Sequence, residues 1–141
     1  MFLLDTNVVS ELRKPRSDRH VRRWASAVAT SSLFLSAISV LELETGVLRV
    51  ERRDARQGAI LRGWLIQHVL PAFSGRVLAI DTTVALRCAR LHVPDRMAHG
   101  DALIAATALV HGLTVATRNT KDFEPSGVGL VNPWLALDQD G

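Results

Sequence analysis

The chain has 141 residues, 48% of them apolar, which is enough for one domain with its own core and too little for two catalytic domains. A single cysteine, Cys88, excludes a disulfide framework and a thiolate zinc site, and it points to a reducing cytoplasm as the expected location. The net charge of +3 is built from 15 arginines and two lysines against 14 acids, a bias compatible with an RNA or DNA substrate because the planar guanidinium grips phosphate.

Met1 to Leu4 reads as a first strand, ending abruptly at Asp5, Thr6 and Asn7. Asp5 and Glu11 interrupt the apolar opening, so no secretory leader is expected, and no stretch approaches transmembrane length. A helix after Asn7 should stop near Pro15, which lacks an amide donor. Ser17 to Ala29 forms a second helix, with Val21, Trp24, Ala25 and Val28 on one face and arginines on the other. Leu33 to Ser36 is strand two, followed by a long helix through Glu42 and Val50. Ala55 to Leu70 is a further helix, expected to end before Pro71.

Arg76 to Ile80 reads as strand three, after which Asp81 caps a helix reaching His92, with Val84, Cys88 and Leu91 on one face. Asp101 to His111 is a helix with Gly112 at its left-handed C-cap. Leu113 to Ala116 forms strand four and Val128 to Val131 a fifth, before an irregular Asn132-Pro133-Trp134 tail. Alternating strands and helices predict a single α/β domain over residues 1–141, a parallel sheet of about five strands flanked by helices on both faces.

Four acids fall at element boundaries: Asp5, Glu42, Asp101 and Asp122. In a parallel sheet the carboxyl ends of strands one and four share an edge, so Asp5 can face the loop from Thr117 to Asp122. Glu42 and Asp101 enter from early turns of two helices. Like charges gathered this closely raise one another's pKa and cost several kcal/mol, roughly, unless a cation intervenes. Oxygen-only ligands select Mg²⁺ or Mn²⁺, and the five scattered histidines offer zinc no ligand spacing.

The segments Leu4-Asp5-Thr6-Asn7-Val8, Glu42-Leu43-Glu44-Thr45-Gly46, Asp101 to Ala108 and Thr117-Arg118-Asn119-Thr120-Lys121-Asp122-Phe123 resemble, in order and spacing, the PIN-domain ribonucleases, and among them toxins of the VapC and FitB type. The closing Asn132-Pro133-Trp134 extends the resemblance over nearly the whole chain. It implies a PIN fold and metal-dependent endonucleolytic cleavage of RNA. The acidic site carries over to Asp5, Glu42, Asp101 and Asp122 as catalytic metal ligands, with Thr117 and Asn119 in support. The resemblance also implies a homodimer and a cognate antitoxin that blocks the acidic pocket, often with an arginine.

Each acid has a plainer competing explanation. Asp5 suits a helix cap. Glu42 stands three residues after Ser39, the spacing of a capping box. Asp101 favours a helix N-terminus through the macrodipole, and Asp122 suits a turn. Glu44 reads as a surface residue, Asp81 as a cap and His99 as a loop residue. Trp24, Trp64 and Trp134 suit core or interface packing rather than base stacking. Arg13 to Arg23 and Arg49 to Arg62 form two basic clusters, read either as solvated helix faces or as a phosphate guide.

Three other functions compete. A PIN-like module could bind RNA or protein without cutting, although the presence of all four acids argues against it. A haloacid-dehalogenase-like phosphatase would need a second aspartate where Asn7 stands. A phosphoacceptor receiver domain would carry its aspartate on a later strand.

Overall fold

Leu3 and Leu4 are both fully buried, yet they join separate apolar clusters on opposite faces of one strand, as the two-residue period of a strand requires. A sheet buried on both sides follows from that pair. In the computed structural model, which describes residues 1–135, strand β1 spans Phe2–Leu4, β2 Leu33–Ser36, β3 Val77–Leu78, β4 Thr114–Ala116 and β5 Leu130–Val131. Residues 136–141, the end of the expected domain, lie outside the described residues. All four strand pairings are parallel, in the order β3-β2-β1-β4-β5. The order reverses between β1 and β4, the place where an open α/β sheet leaves a crevice at its carboxyl edge.

Helices α1 (Thr6–Arg13), α2 (Arg19–Ala27), α3 (Ala37–Arg53) and α4 (Ala55–Trp64) surround the cluster at Leu4, the first three contributing Val8, Val9, Val21, Trp24, Leu43 and Val47 to it. A π turn, Leu65–Val69, and the short α5, Leu70–Ala72, continue the path of α4. On the opposite face, α7 (His99–His111) and α8 (Thr120–Phe123) pack Ile104, Ala105, Ala108 and Phe123 around Leu3 and Val115, while α6 (Thr82–Leu91) packs against α7 through Val84 and Cys88. Each fully buried aliphatic side chain contributes about 1.5–3 kcal/mol.

The elements follow the expected order, with local departures. Helix α1 begins at Thr6 rather than after Asn7, because Asp5 caps it by accepting the Thr6 amide. Helix α2 is shorter than Ser17 to Ala29, since Asp18 accepts the amides of His20 and Val21. The helix expected to stop before Pro71 passes through it. The π turn shifts the hydrogen-bond ladder so that Pro71 falls in a first-turn position, where no amide donor is required. Strands β3 and β5 are two residues each, shorter than expected. His99 opens α7 instead of lying in a loop, which places Asp101 third in that helix, and Gly112 adopts φ +67° at its end.

The capping-box explanation of Glu42 fails. Ser36 is the cap of α3 and accepts the Ile38 amide, while Ser39 lies within the helix with its hydroxyl buried and unpaired.

Candidate active site

Register sets the first contact of the site. Leu4 pairs with Ala116, so the next residues on the two strands, Asp5 and Thr117, emerge side by side at the carboxyl edge. The Asp5 amide donates to the Ala116 carbonyl at 2.9 Å, and the Thr117 amide donates to the Val131 carbonyl at 3.0 Å. Both side chains are buried, Thr117 completely.

The Thr117 hydroxyl donates to Asp5 Oδ2 at 2.7 Å and accepts the Asn119 amide at 3.0 Å. Asn7 Nδ2 donates to the same Asp5 oxygen at 3.3 Å and reaches the Thr117 oxygen at 3.5 Å. Asp5 Oδ1 accepts the Thr6 amide at 2.8 Å, so Asp5 is both a cap and a site residue. Burial pushes its pKa above the ordinary value; the Thr117 and Thr6 hydrogen bonds pull it back, and the Asp122 charge adds to the rise. Asn7 Oδ1 is buried without a partner.

Thr6 carries the network to the second acid, its hydroxyl donating to Glu42 Oε1 at 2.9 Å. The other oxygen, Oε2, lies 3.8 Å from where a Cβ on Gly100 would stand, so Glu42 reaches the first turn of α7. Asp101 occupies that turn. Its pKa is pushed up to about 6 by burial and then by the charges of Asp5, Asp122 and Glu42. The fold therefore gathers all four acids within one electrostatic field at the carboxyl edge. Among the described residues, no three His, Cys, Asp or Glu side chains stand arranged to hold a metal ion.

The six expected site residues differ in how they are held. Asp5, Thr117 and the Asn119 backbone share direct hydrogen bonds, Glu42 is tied in through Thr6, and Asp101 and Asp122 join through charge. Asp122 lies in the first turn of α8 with its amide bonded to the Asn119 carbonyl, so its turn role coexists with its place in the field. Glu44 is the surface residue expected and pairs with Arg62 at 2.5 Å. Gly100 is a site neighbour that the sequence reading does not single out; the available signal is a glycine in the first turn of a helix otherwise rich in alanine.

Of the basic clusters, Arg62 is committed to Glu44 and Glu51. Arg49, Arg52 and Arg53 are exposed on α3 and form no ion pair among the described residues. Trp24 is buried in the core and Trp64 and Trp134 pack against it, in line with their expected packing roles. No helix among the described residues is long and apolar enough to cross a membrane.

Comparison with known proteins identifies the family of the fold. The PIN domain family matches residues 2–124. The chain is 42% identical to the plasmid stability protein StbB of Pseudomonas syringae pv. tomato, with 96% of this chain and 100% of that protein covered. It is 41% identical to a VapC ribonuclease of Sinorhizobium fredii, covering 95% and 98%, and 39% identical to toxin FitB of Neisseria gonorrhoeae, covering 95% and 99%. Among solved structures, FitAB bound to a DNA fragment superposes with a TM-score of 0.90 at 35% identity, covering 99% of each chain.

Proposed function

Because the chain belongs to the PIN-domain family and has VapC and FitB proteins as near relatives, we propose that it is a metal-dependent endoribonuclease, the toxin of a toxin-antitoxin pair. The carrying observation is the gathering of Asp5, Glu42, Asp101 and Asp122 at one edge of the sheet, where burial and then the charges of the other three acids raise Asp101 to about 6, a strain that a cation relieves. The PIN assignment replaces the phosphatase and receiver readings.

The donor set fits Mg²⁺ or Mn²⁺ in chemistry. Every candidate ligand is an oxygen, and a buried acceptor, Asn7 Oδ1, is left unpaired beside Asp5. Asp5, Glu42, Asp101 and Asp122 would hold the ion, Asp5 from a buried position, Asp101 from a partly buried one and Glu42 and Asp122 from exposed ones. A divalent cation supplies acidification of an attacking water and neutralisation of charge on the phosphoryl oxygens. The chain's own residues do the positioning. Thr117 and the Thr6 amide fix the Asp5 carboxylate, Thr6 steers Glu42, and the Asn119 amide fixes the Thr117 hydroxyl.

The reading includes RNA as substrate, a cognate antitoxin over the acidic pocket, a homodimer and a cytoplasmic location. A toxin-antitoxin complex from Klebsiella pneumoniae, 26% identical with a TM-score of 0.68, supports the antitoxin. A catalytically silent binding module is the second reading, favoured by the absence of a ready-made set of metal ligands among the described residues.

Cleavage of a mixed RNA pool by the purified, antitoxin-free chain separates the two. Cutting that needs Mg²⁺ or Mn²⁺, stops with EDTA and is lost in Asp5→Asn supports the nuclease. A folded, metal-supplied chain that binds RNA and leaves it intact supports the binding module.

A further inference from the structure

Beside the acidic field, Arg118, Asn119, Thr120, Lys121 and Asp122 line an open cavity of about 370 Å³. One lining residue, Asn119, donates its amide at 3.0 Å to the Thr117 hydroxyl that holds Asp5, so the cavity borders the candidate active site directly. Its basic members are exposed, and among the described residues neither forms an ion pair.

Arg118 is nonetheless held in place. Its guanidinium carbon lies 5.3 Å from the centroid of the Trp134 ring, a cation–π contact. Trp134 is braced in turn: its amide donates to Asn132 Oδ1 at 2.9 Å, and Asn132 Nδ2 reaches back to the Arg118 carbonyl at 3.4 Å. Pairing of β5 with β4 anchors both segments to the sheet. The contact holds the guanidinium over the ring, and among the described residues its N–H donors make no hydrogen bond or ion pair, which suits a bidentate contact with phosphate.

We propose that Arg118 and Lys121 form a phosphate-binding subsite for a nucleotide flanking the scissile bond of single-stranded RNA, with Trp134 as the residue that positions Arg118. The subsite deepens the nuclease reading and rests on it for the identity of the substrate. Four carboxylates repel a polyanion, and two cations beside them offset that repulsion where the strand must run past the acids.

The test uses full-length Asp5→Asn protein and labelled single-stranded RNA of random sequence, with affinity measured across a range of salt. Adding Arg118→Gln should weaken binding about tenfold and flatten the salt slope by about 0.7, the value for one single-strand phosphate left without its cation. Lys121→Gln should do the same, while Arg118→Lys should keep the slope and recover part of the affinity. Trp134→Leu should weaken binding with the slope retained, since it removes the brace and keeps the charge. Melting curves confirm that each variant is folded, and Lys121→Gln carries the test if Arg118→Gln unfolds.

Unchanged affinity and slope in Arg118→Gln and Lys121→Gln overturn the subsite. So does Arg118-dependent capture of an acidic peptide by a chain that ignores RNA. If the wild-type chain cuts no RNA but binding still depends on both cations, the nuclease reading falls and the subsite stands.

Discussion

The Thr117 hydroxyl meets the Asp5 carboxylate at 2.7 Å across 112 positions of sequence, joining the ends of two adjacent parallel strands in a buried contact. Thr117→Val keeps the shape and removes the donor. Leaving a buried acceptor short of a partner costs about 1–3 kcal/mol. Thr117 holds the Asp5 pKa down against burial, so the variant should raise that pKa further. A folded-state carboxyl pKa above the unfolded value means the native state keeps its proton longer, and stability falls as pH rises between the two values. The destabilisation should therefore be larger at pH 7 than at pH 4, as denaturant titrations in EDTA would read. Equal destabilisation at both pH values would detach the contact from the ionisation of Asp5.

Asp101 gives a second pH dependence. Its pKa rises from the ordinary aspartate value of 3.8 to about 6, with burial first among the causes and the other three acids behind it. Its ionisation therefore opposes folding: the penalty is absent below about 4, grows through the interval, and is complete above about 6. Asp101→Asn should stabilise the metal-free chain at pH 7 by about 1 kcal/mol, the full shift being discounted for solvent at this half-buried group. Near pH 4 it should be neutral. Mg²⁺ should stabilise the parent and leave the variant nearly unmoved. A variant less stable than its parent at pH 7 would mean that Asp101 is not strained by its neighbours.

Much of this is legible in the chain because strand ends carry their own signals. The apolar run closing on Asp5, the strand from Leu33 to Ser36 and Gly112 at its helix end depend on local chemistry alone. The passage through Pro71 is not legible, since it depends on a π turn that has no short-range signature. The spacing of Ser39 to Glu42 imitates a capping box, yet the cap of α3 is Ser36, which lies at the strand end where the helix starts. That Asp5 would face the loop beginning at Thr117 is readable from sheet topology. That Thr6 ties Glu42 to Asp5, and that Glu42 reaches Gly100, are matters of side-chain direction.

Arg49, Arg52 and Arg53 separate a phosphate guide from a solvated face. They are exposed on α3, whereas Arg62 is held by two glutamates and is not free to bind in the same way. Replacing the three by Gln should weaken RNA binding and flatten its salt slope by about 0.7 for each phosphate that no longer meets a guanidinium, with metal binding intact. Filter binding at several salt concentrations measures the slope. A slope identical to that of the parent would make the cluster an ordinary solvated surface.

Antitoxin binding should compete with the cation. Asp101, raised to about 6 by burial and then by the neighbouring acids, sits among charges that either a divalent ion or a guanidinium would offset, and ligands competing for Asp5, Glu42 and Asp101 weaken one another. If the cognate antitoxin inserts an arginine, saturating Mg²⁺ should weaken its affinity, and by linkage bound antitoxin should weaken Mg²⁺ by the same factor. Calorimetric titration of antitoxin into the chain, with Mg²⁺ and with EDTA, reads the first factor, and Mg²⁺ titration of the complex reads the second. Asp101→Asn should reduce the coupling, because it removes one of the charges that both ligands seek. An antitoxin affinity unchanged by Mg²⁺ would mean that the antitoxin closes the site from outside, without touching the carboxylates.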